Sequence, residues 1–327
     1  MHVMIIGAAG MVGRKLTARL VADGALGGQP LSALSLIDVV QPDAPDGFAG
    51  TLVRQAADLS SPGVAEALAT ARPDAIFHLA AIVSGEAEAD FDKGYLINLD
   101  GTRFLFDAIR AEGGRAPYNP RVVFTSSIAI FGAPFPPAIS DDYHHTPQTS
   151  YGTQKAICEL LLADYSRRGI FDGVGIRLPT ICVRPGAPNK AASGFFSNIL
   201  REPLVGLPAI LPVPDTVRHW HASPRSAVGF LLHAATLDTA PLAQRRNLSM
   251  PGLSATVAEQ IEALRRVAGQ KAVDLIKVQP DETIGKIVAG WPENFDPQRA
   301  IALGFTAETT FDEIIQVHID DELGGSL

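Results

Sequence analysis

Near the start of the chain, GAAGMVG at positions 7–13 sits between two segments of opposite periodicity. Residues 2–6 form a short apolar run, as in a buried strand. Residues 11–22 carry apolar side chains at helical spacing, with Arg14, Lys15 and Arg19 mostly on the other face. A glycine-rich turn between a buried strand and a helix has few solutions. Gly7 allows the tight turn, and Gly13 lets helix and strand pack closely. Gly10 leaves room in front of the helix N-terminus, where free N–H groups and the helix dipole favour negative charge.

The alternation continues. Strand-like apolar runs recur at 34–40, 52–55, 75–80, 121–126 and 173–178. Helical patterns fall between them at 62–71, 89–111 and 150–168, and Pro62 suits a first helical turn. Near-continuous apolar strands separated by helices predict an α/β fold, a doubly wound parallel sheet covered on both faces. After Leu178 prolines and glycines crowd the chain up to Pro224 and few helices suggest themselves. Helical signals return at 226–237, 257–268 and 311–321. The expected organisation is therefore residues 1–178 as a nucleotide-binding domain and 179–327 mainly as a smaller substrate lobe, some of whose segments return to the first domain.

Bulk properties exclude other classes. A formal net charge of -8 without clustered Lys and Arg argues against a nucleic-acid partner. No apolar stretch approaches the roughly 18 residues of a membrane helix, and the N-terminus lacks a signal-peptide layout. The two cysteines, Cys158 and Cys182, have no metal-ligand spacing. His144-His145 and the alternating His219 and His221 lack the helical pairing or Cys partner that zinc favours, so no metal is expected. These readings place the protein in the cytoplasm.

In such a sheet ligands bind beyond the carboxyl ends of the strands, and the motifs cluster there. GAAGMVG, including Met11 and Val12, would cradle a dinucleotide pyrophosphate. Asp38 ends the second strand, where an acidic residue accepts hydrogen bonds from the adenosine ribose hydroxyls. It would repel a 2′-phosphate and no Arg follows it immediately, which predicts NAD rather than NADP. Asp58 and Leu59 follow the third strand and could border the adenine, or Asp58 could cap a nearby helix.

Tyr151 and Lys155 stand four apart on a predicted helix and share a face. A phenol is a poor base at its ordinary pKa of about 10, and a neighbouring ammonium favours the phenolate. The pair suits proton acceptance during alcohol oxidation. Ser126 and Ser127 end the strand VVFTSS, where a hydroxyl could hold a substrate oxygen near Tyr151. Asn98 lies inside a helical pattern that Asn disfavours, which hints at a side-chain hydrogen bond with a supporting purpose.

Together these segments resemble the extended short-chain dehydrogenase/reductase family, whose core is a Rossmann fold. The likeness runs through GAAGMVG, Asp38, Asp58-Leu59, HLAA at 78–81, NLDGT at 98–102, FTSSIAIFG at 124–132, YGTQK at 151–155, RLPTICVRPG at 177–186, VRHW at 217–220 and NLSMPGLSATVAE at 247–259. It implies cofactor contacts from Leu79, Ala80, Ala81, Asn98, Thr125, Tyr151 and Lys155, and contact of Pro179 and Thr180 with the nicotinamide carboxamide. It makes Ser127, five residues before Gly132, the catalytic serine. It also implies a homodimer through the Asn98 and Tyr151 helices.

Two departures bear on substrate. Pro224-Arg225 stands where nucleotide-sugar enzymes of the family carry an acidic pair. PTICVRPGAPNKAASG replaces their usual Asn-Val-Tyr-Gly-Pro-like segment. Arg184, Asn189 and Lys190 there suit a small anion better than a diphosphate sugar. The resemblance implies oxidation of C2 of a four-carbon sugar acid with NAD. Arg184, Lys190 or Arg218 would bind the carboxylate, and Thr180, Ser126 and Ser84 would sit near the substrate. Alternatives are a short-chain L-threonine dehydrogenase, a nucleotide-sugar epimerase or dehydratase, and a non-catalytic NAD sensor.

Overall fold

The computed structural model describes residues 1–186 and 192–326. Two compact units emerge. One comprises Met1–Ile130, Pro147–Arg177 and Val228–Leu248, and the other Phe131–Thr146, Leu178–Ala227 and Ser249–Leu327.

The first unit is built on a seven-stranded sheet: β1 His2–Ile6, β2 Ala33–Asp38, β3 Thr51–Ala56, β4 Ala75–His78, β5 Arg121–Ser127, β6 Asp172–Leu178 and β7 Asn247–Ser249. The order across the sheet is β3-β2-β1-β4-β5-β6-β7. β1 pairs in parallel with both β2 and β4, β2 with β3, and β4 with β5. The chain moves outward one way from β1 and then returns to start the other way at β4. That reversal opens a crevice at the carboxyl ends of β1 and β4. The inner strands are buried over almost their whole length, with Val3, Ile5, Leu34, Ile76, Phe77, Val122 and Phe124 fully enclosed. Burial on both faces is the physical reason their sequences read as continuous apolar runs.

Helices α1 Met11–Asp23, α2 Val64–Thr70, α3 Gly101–Gly113 and α4 Ser150–Arg167 belong to this unit. Glu159 of α4 is fully buried and accepts hydrogen bonds from the Arg177 guanidinium on β6, at 2.9, 3.2 and 2.8 Å. Removing one member of such a pair strands the other charge in the interior, at a cost of about 3–5 kcal/mol.

Three sequence expectations need correction. Pro62 precedes α2 rather than opening it, because Gly63 takes a left-handed conformation (φ +80°) just before Val64. The pattern at 89–111 is helical without interruption from Phe91 to Gly113, but it starts two residues later and contains a π-helical turn, Tyr95–Asp100, between Phe91–Gly94 and α3. The wide turn brings the Asn98 side chain inward, where it bonds elsewhere. In the proline-rich tract a helix forms at Gly194–Leu204, burying Phe195, Phe196, Ile199, Leu200 and Leu204.

In the second unit Arg218–Ala222 pairs in parallel with Thr180–Ile181 and antiparallel with Leu253–Thr256. Helices Gly194–Leu204, Val257–Ala268 and Phe311–Glu322 supply its core. Among the described residues no helix is long and apolar enough to cross a membrane.

Candidate active site

The glycine turn follows β1 directly. Gly7 has φ +97°, and a Cβ there would lie 2.7 Å from the Ala80 backbone nitrogen. A Cβ on Gly13 would lie 2.2 Å from the Gly7 carbonyl oxygen, so this glycine is required for α1 to pack against the turn. Gly10 differs. It is exposed, has an ordinary φ of -67°, and a Cβ would meet only the Gly7 oxygen at 3.4 Å. Gly10 is the N-cap of α1, with no side-chain cap and no acidic residue in the first turn. The first amides of α1 are thus left to an external acceptor, as an anion site requires.

Asp38 stands at the end of β2 beside this turn. Its carboxylate accepts from the amides of Ala9 at 2.9 Å and Val39 at 2.7 Å. These bonds fix its orientation and leave acceptor capacity for ribose hydroxyls. The set fits a dinucleotide: a cradle a side chain would fill, uncapped amides, and an oriented carboxylate.

Asp58 accepts from the amide and hydroxyl of Ser60, at 2.9 and 2.6 Å, closing a turn before α2. Leu59 is in the core. Leu79 and Ala80 donate their amides to the Ile6 carbonyl, extending the β1–β4 pairing, while Ala81 is exposed. Ser84 opens a short helix, Ser84–Ala89.

The polar set at the end of β5 converges on α4. Lys155 is buried, donates to the Thr125 carbonyl at 2.8 Å, and holds its ammonium 5.8 Å from the Tyr151 ring centre and 4.8 Å from that of Phe124. Burial pushes its pKa down to about 8, while Cys158 and Glu159 act in the opposite sense. Ser127 accepts from the Ala129 amide at 3.1 Å, which turns the chain after β5. Ser126 is buried, and its hydroxyl has no hydrogen-bond partner among the described residues.

Three residues that sequence reasoning did not single out complete the arrangement. A Cβ on Gly152 would lie 2.2 Å from the Ala129 carbonyl oxygen, so this glycine lets the first turn of α4 approach the end of β5. Glycine within a helix costs about 1 kcal/mol, and its place next to Tyr151 was the available signal. Gln154 accepts from Asn98 Nδ2 at 2.8 Å. Asn98 in turn bonds both the amide and the carbonyl of Ile82, at 2.9 and 3.3 Å. One buried amide thereby ties the loop after β4 to α4. Beneath it, His78 meets the Thr102 hydroxyl at 2.9 Å; burial first, then Lys155, pushes its pKa down to about 3, so the ring is neutral.

The second unit carries the other candidates. Pro179 is buried, and Thr180 bonds His219 at 2.7 Å. Arg184 donates to the Ile181 carbonyl and the Ser193 hydroxyl, each at 3.0 Å. Arg218 already faces a carboxylate, Glu259, at 3.3 Å. Asn189 and Lys190 lie outside the described residues.

The fold and the cofactor cradle define a class of protein, and residues 3–220 match the NAD dependent epimerase/dehydratase family. The chain belongs to that family and is an NAD-dependent oxidoreductase.

Among particular relatives, it is 47% identical to a D-erythronate dehydrogenase of Cupriavidus necator, over 98% of each chain. It is 43% identical to a D-erythronate dehydrogenase of Haemophilus influenzae, over 99% of this chain and 100% of that one. A crystal structure described as a nucleoside-diphosphate-sugar epimerase from Agrobacterium tumefaciens has a TM-score of 0.98 and 71% identity, covering 100% of this chain and 95% of that one.

Proposed function

We propose that this chain oxidises the C2 hydroxyl of a small sugar acid, D-erythronate to 2-dehydro-D-erythronate, with Tyr151 as the proton acceptor. The observation that carries the chemistry is the buried Lys155 ammonium, 5.8 Å from the Tyr151 ring centre and anchored to the strand that ends in Ser127. The two dehydrogenases named above, each matched over nearly its full length, support the choice of substrate.

The turn from Gly7 through Gly10, Met11 and Val12 to Gly13 would hold the NAD pyrophosphate. Asp38 would hold the adenosine ribose, with Asp58, Leu79, Ala80, Ala81, Asn98 and Thr125 along the crevice. Pro179 and Thr180 would contact the nicotinamide carboxamide. Bound there, NAD supplies the acceptor for the hydride leaving C2. Ser127 orients the C2 hydroxyl, the Tyr151 phenolate takes its proton, and the Lys155 charge keeps that phenolate accessible near neutral pH. One C–H bond and one O–H bond break, the two electrons leave with the hydride, and a ketone remains. Arg184, Lys190 or Arg218 would bind the substrate carboxylate. A guanidinium binds a carboxylate through two parallel hydrogen bonds.

We read the active form as a cytoplasmic homodimer through the Asn98 and Tyr151 segments, where Phe91, Leu96 and Leu160 are exposed apolar residues. Light scattering in solution tests the dimer.

The nucleoside-diphosphate-sugar epimerase reading is favoured by the description of the 71% identical structure. A substrate panel separates the two: NADH accumulates with D-erythronate under the first reading. Under the second, UDP-sugars interconvert without net NADH.

A further inference from the structure

The second unit contains a histidine whose hydrogen-bonding sense is fixed by its surroundings. His219 is buried, and its ring lies parallel to Phe196 at a centroid separation of 5.3 Å and an angle of 5°. Trp291 packs against it at 5.2 Å. Its Nδ1 lies 2.9 Å from the Pro292 carbonyl oxygen. A carbonyl oxygen only accepts, so Nδ1 carries a proton. The other nitrogen, Nε2, lies 2.7 Å from the Thr180 hydroxyl. Burial pushes the ring's pKa down to about 4, so near neutral pH it holds one proton, and that proton is on Nδ1.

Nε2 is then an acceptor, and the Thr180 hydroxyl must donate to it. A hydroxyl has one proton. With that proton committed to His219, Thr180 offers only lone pairs to anything it meets. It can accept from an amide N–H or an alcohol O–H, and it repels a carboxylate or a carbonyl oxygen.

We propose that His219 is a positioning residue that locks Thr180 as an obligate acceptor, so that Thr180 selects for the N–H of the nicotinamide carboxamide. This rests on the reading above that Thr180 contacts that group. It also assigns the substrate carboxylate away from Thr180. His219 touches neither cofactor nor substrate; it acts through Thr180.

The test compares Kd values for NAD and 3-acetylpyridine adenine dinucleotide, whose methyl ketone lacks the amide donor, by titration calorimetry. Wild type, Thr180→Val, His219→Phe and His219→Gln are measured, each checked for a cooperative melt. Phe keeps the ring stack and removes the acceptor; Gln retains an acceptor near the Nε2 position. Wild type should favour NAD by roughly tenfold, about the worth of one good hydrogen bond. Thr180→Val and His219→Phe should both lose most of that preference, and His219→Gln should keep part of it. Loss in Thr180→Val with full preference retained in His219→Phe overturns the lock and leaves the Thr180 contact standing. Retention in both overturns the contact itself, and the proposal with it. Should the His219 variants fail to fold, long-range proton–nitrogen NMR of the wild-type imidazole decides. A bare Nε2 supports the lock, and a protonated Nε2 overturns it.

Discussion

The ammonium of Lys155 hangs from the carbonyl oxygen of Thr125 at 2.8 Å, so a charge on α4 is fixed to the end of β5. The bond joins the Tyr151 helix to the strand that carries Ser127. It also anchors the Lys155 ammonium through a backbone carbonyl on the side of α4 that carries Tyr151. The Tyr151→Phe variant should retain NAD binding and lose about 10²–10⁴ of kcat, the range for removal of a positioned acid–base group. An unchanged kcat would remove Tyr151 from the chemistry.

The buried ammonium has a thermodynamic signature. Its pKa falls from 10.5 to about 8 in the folded chain, so between pH 8 and 10.5 the unfolded state binds more protons than the native one. Stability from this group therefore rises with pH across that window. Below pH 8 the full cost of burying the charge is present. Lys155→Met should raise the melting temperature at pH 7 relative to wild type, narrow that gap toward pH 10, and abolish turnover. Thermal melts at pH 7 and pH 10 check it; a gap that widens with pH contradicts the account.

Gly10 and Gly13 separate a cofactor role from a packing role. Gly13→Ala drives a Cβ into the Gly7 carbonyl oxygen at 2.2 Å and should lower stability by about 1–3 kcal/mol or more. Gly10→Ala adds a Cβ that the fold accommodates, with its nearest neighbour at 3.4 Å. Its melting temperature should stay near wild type, while NAD binding weakens by tenfold or more on the order of one lost close approach. Calorimetry with NAD on both variants tests the contrast.

Three of the buried histidines contribute to the acid limit. His78 and His219 have pKa values pushed down to about 3 and about 4, and His221 lies well below its ordinary value; burial is the leading cause in each. As pH falls below 6.5 the unfolded chain protonates them and the native chain does not. Stability falls by up to about 1.4 kcal/mol per pH unit for each histidine. Melting temperature should drop between pH 6.5 and 5, and less steeply in His219→Gln. A flat profile over that interval contradicts the buried neutral state.

The inner strands were legible because both faces are covered, so β1, β2 and β5 appear as near-continuous apolar runs. The glycine turn and the spacing from Tyr151 to Lys155 were legible because each is local. Harder to see was the π-helical turn at Tyr95–Asp100. There Asn98 leaves the helical face to reach Ile82 and Gln154, and Gln154 is 56 residues away in the chain. A contact of that range leaves no periodicity. Helix Gly194–Leu204 was hidden by the surrounding prolines and glycines, although Phe195, Phe196, Ile199 and Leu200 do have helical spacing. Gly152 looked like an ordinary helix residue until its approach to Ala129 was visible.

The most direct test follows NADH formation with D-erythronate as substrate, in wild type and in Tyr151→Phe, with L-threonine and UDP-glucose as comparisons. The account predicts NADH from D-erythronate in wild type and its near-complete loss in the variant. No NADH from D-erythronate while NAD still binds, or turnover undiminished in Tyr151→Phe, would contradict it.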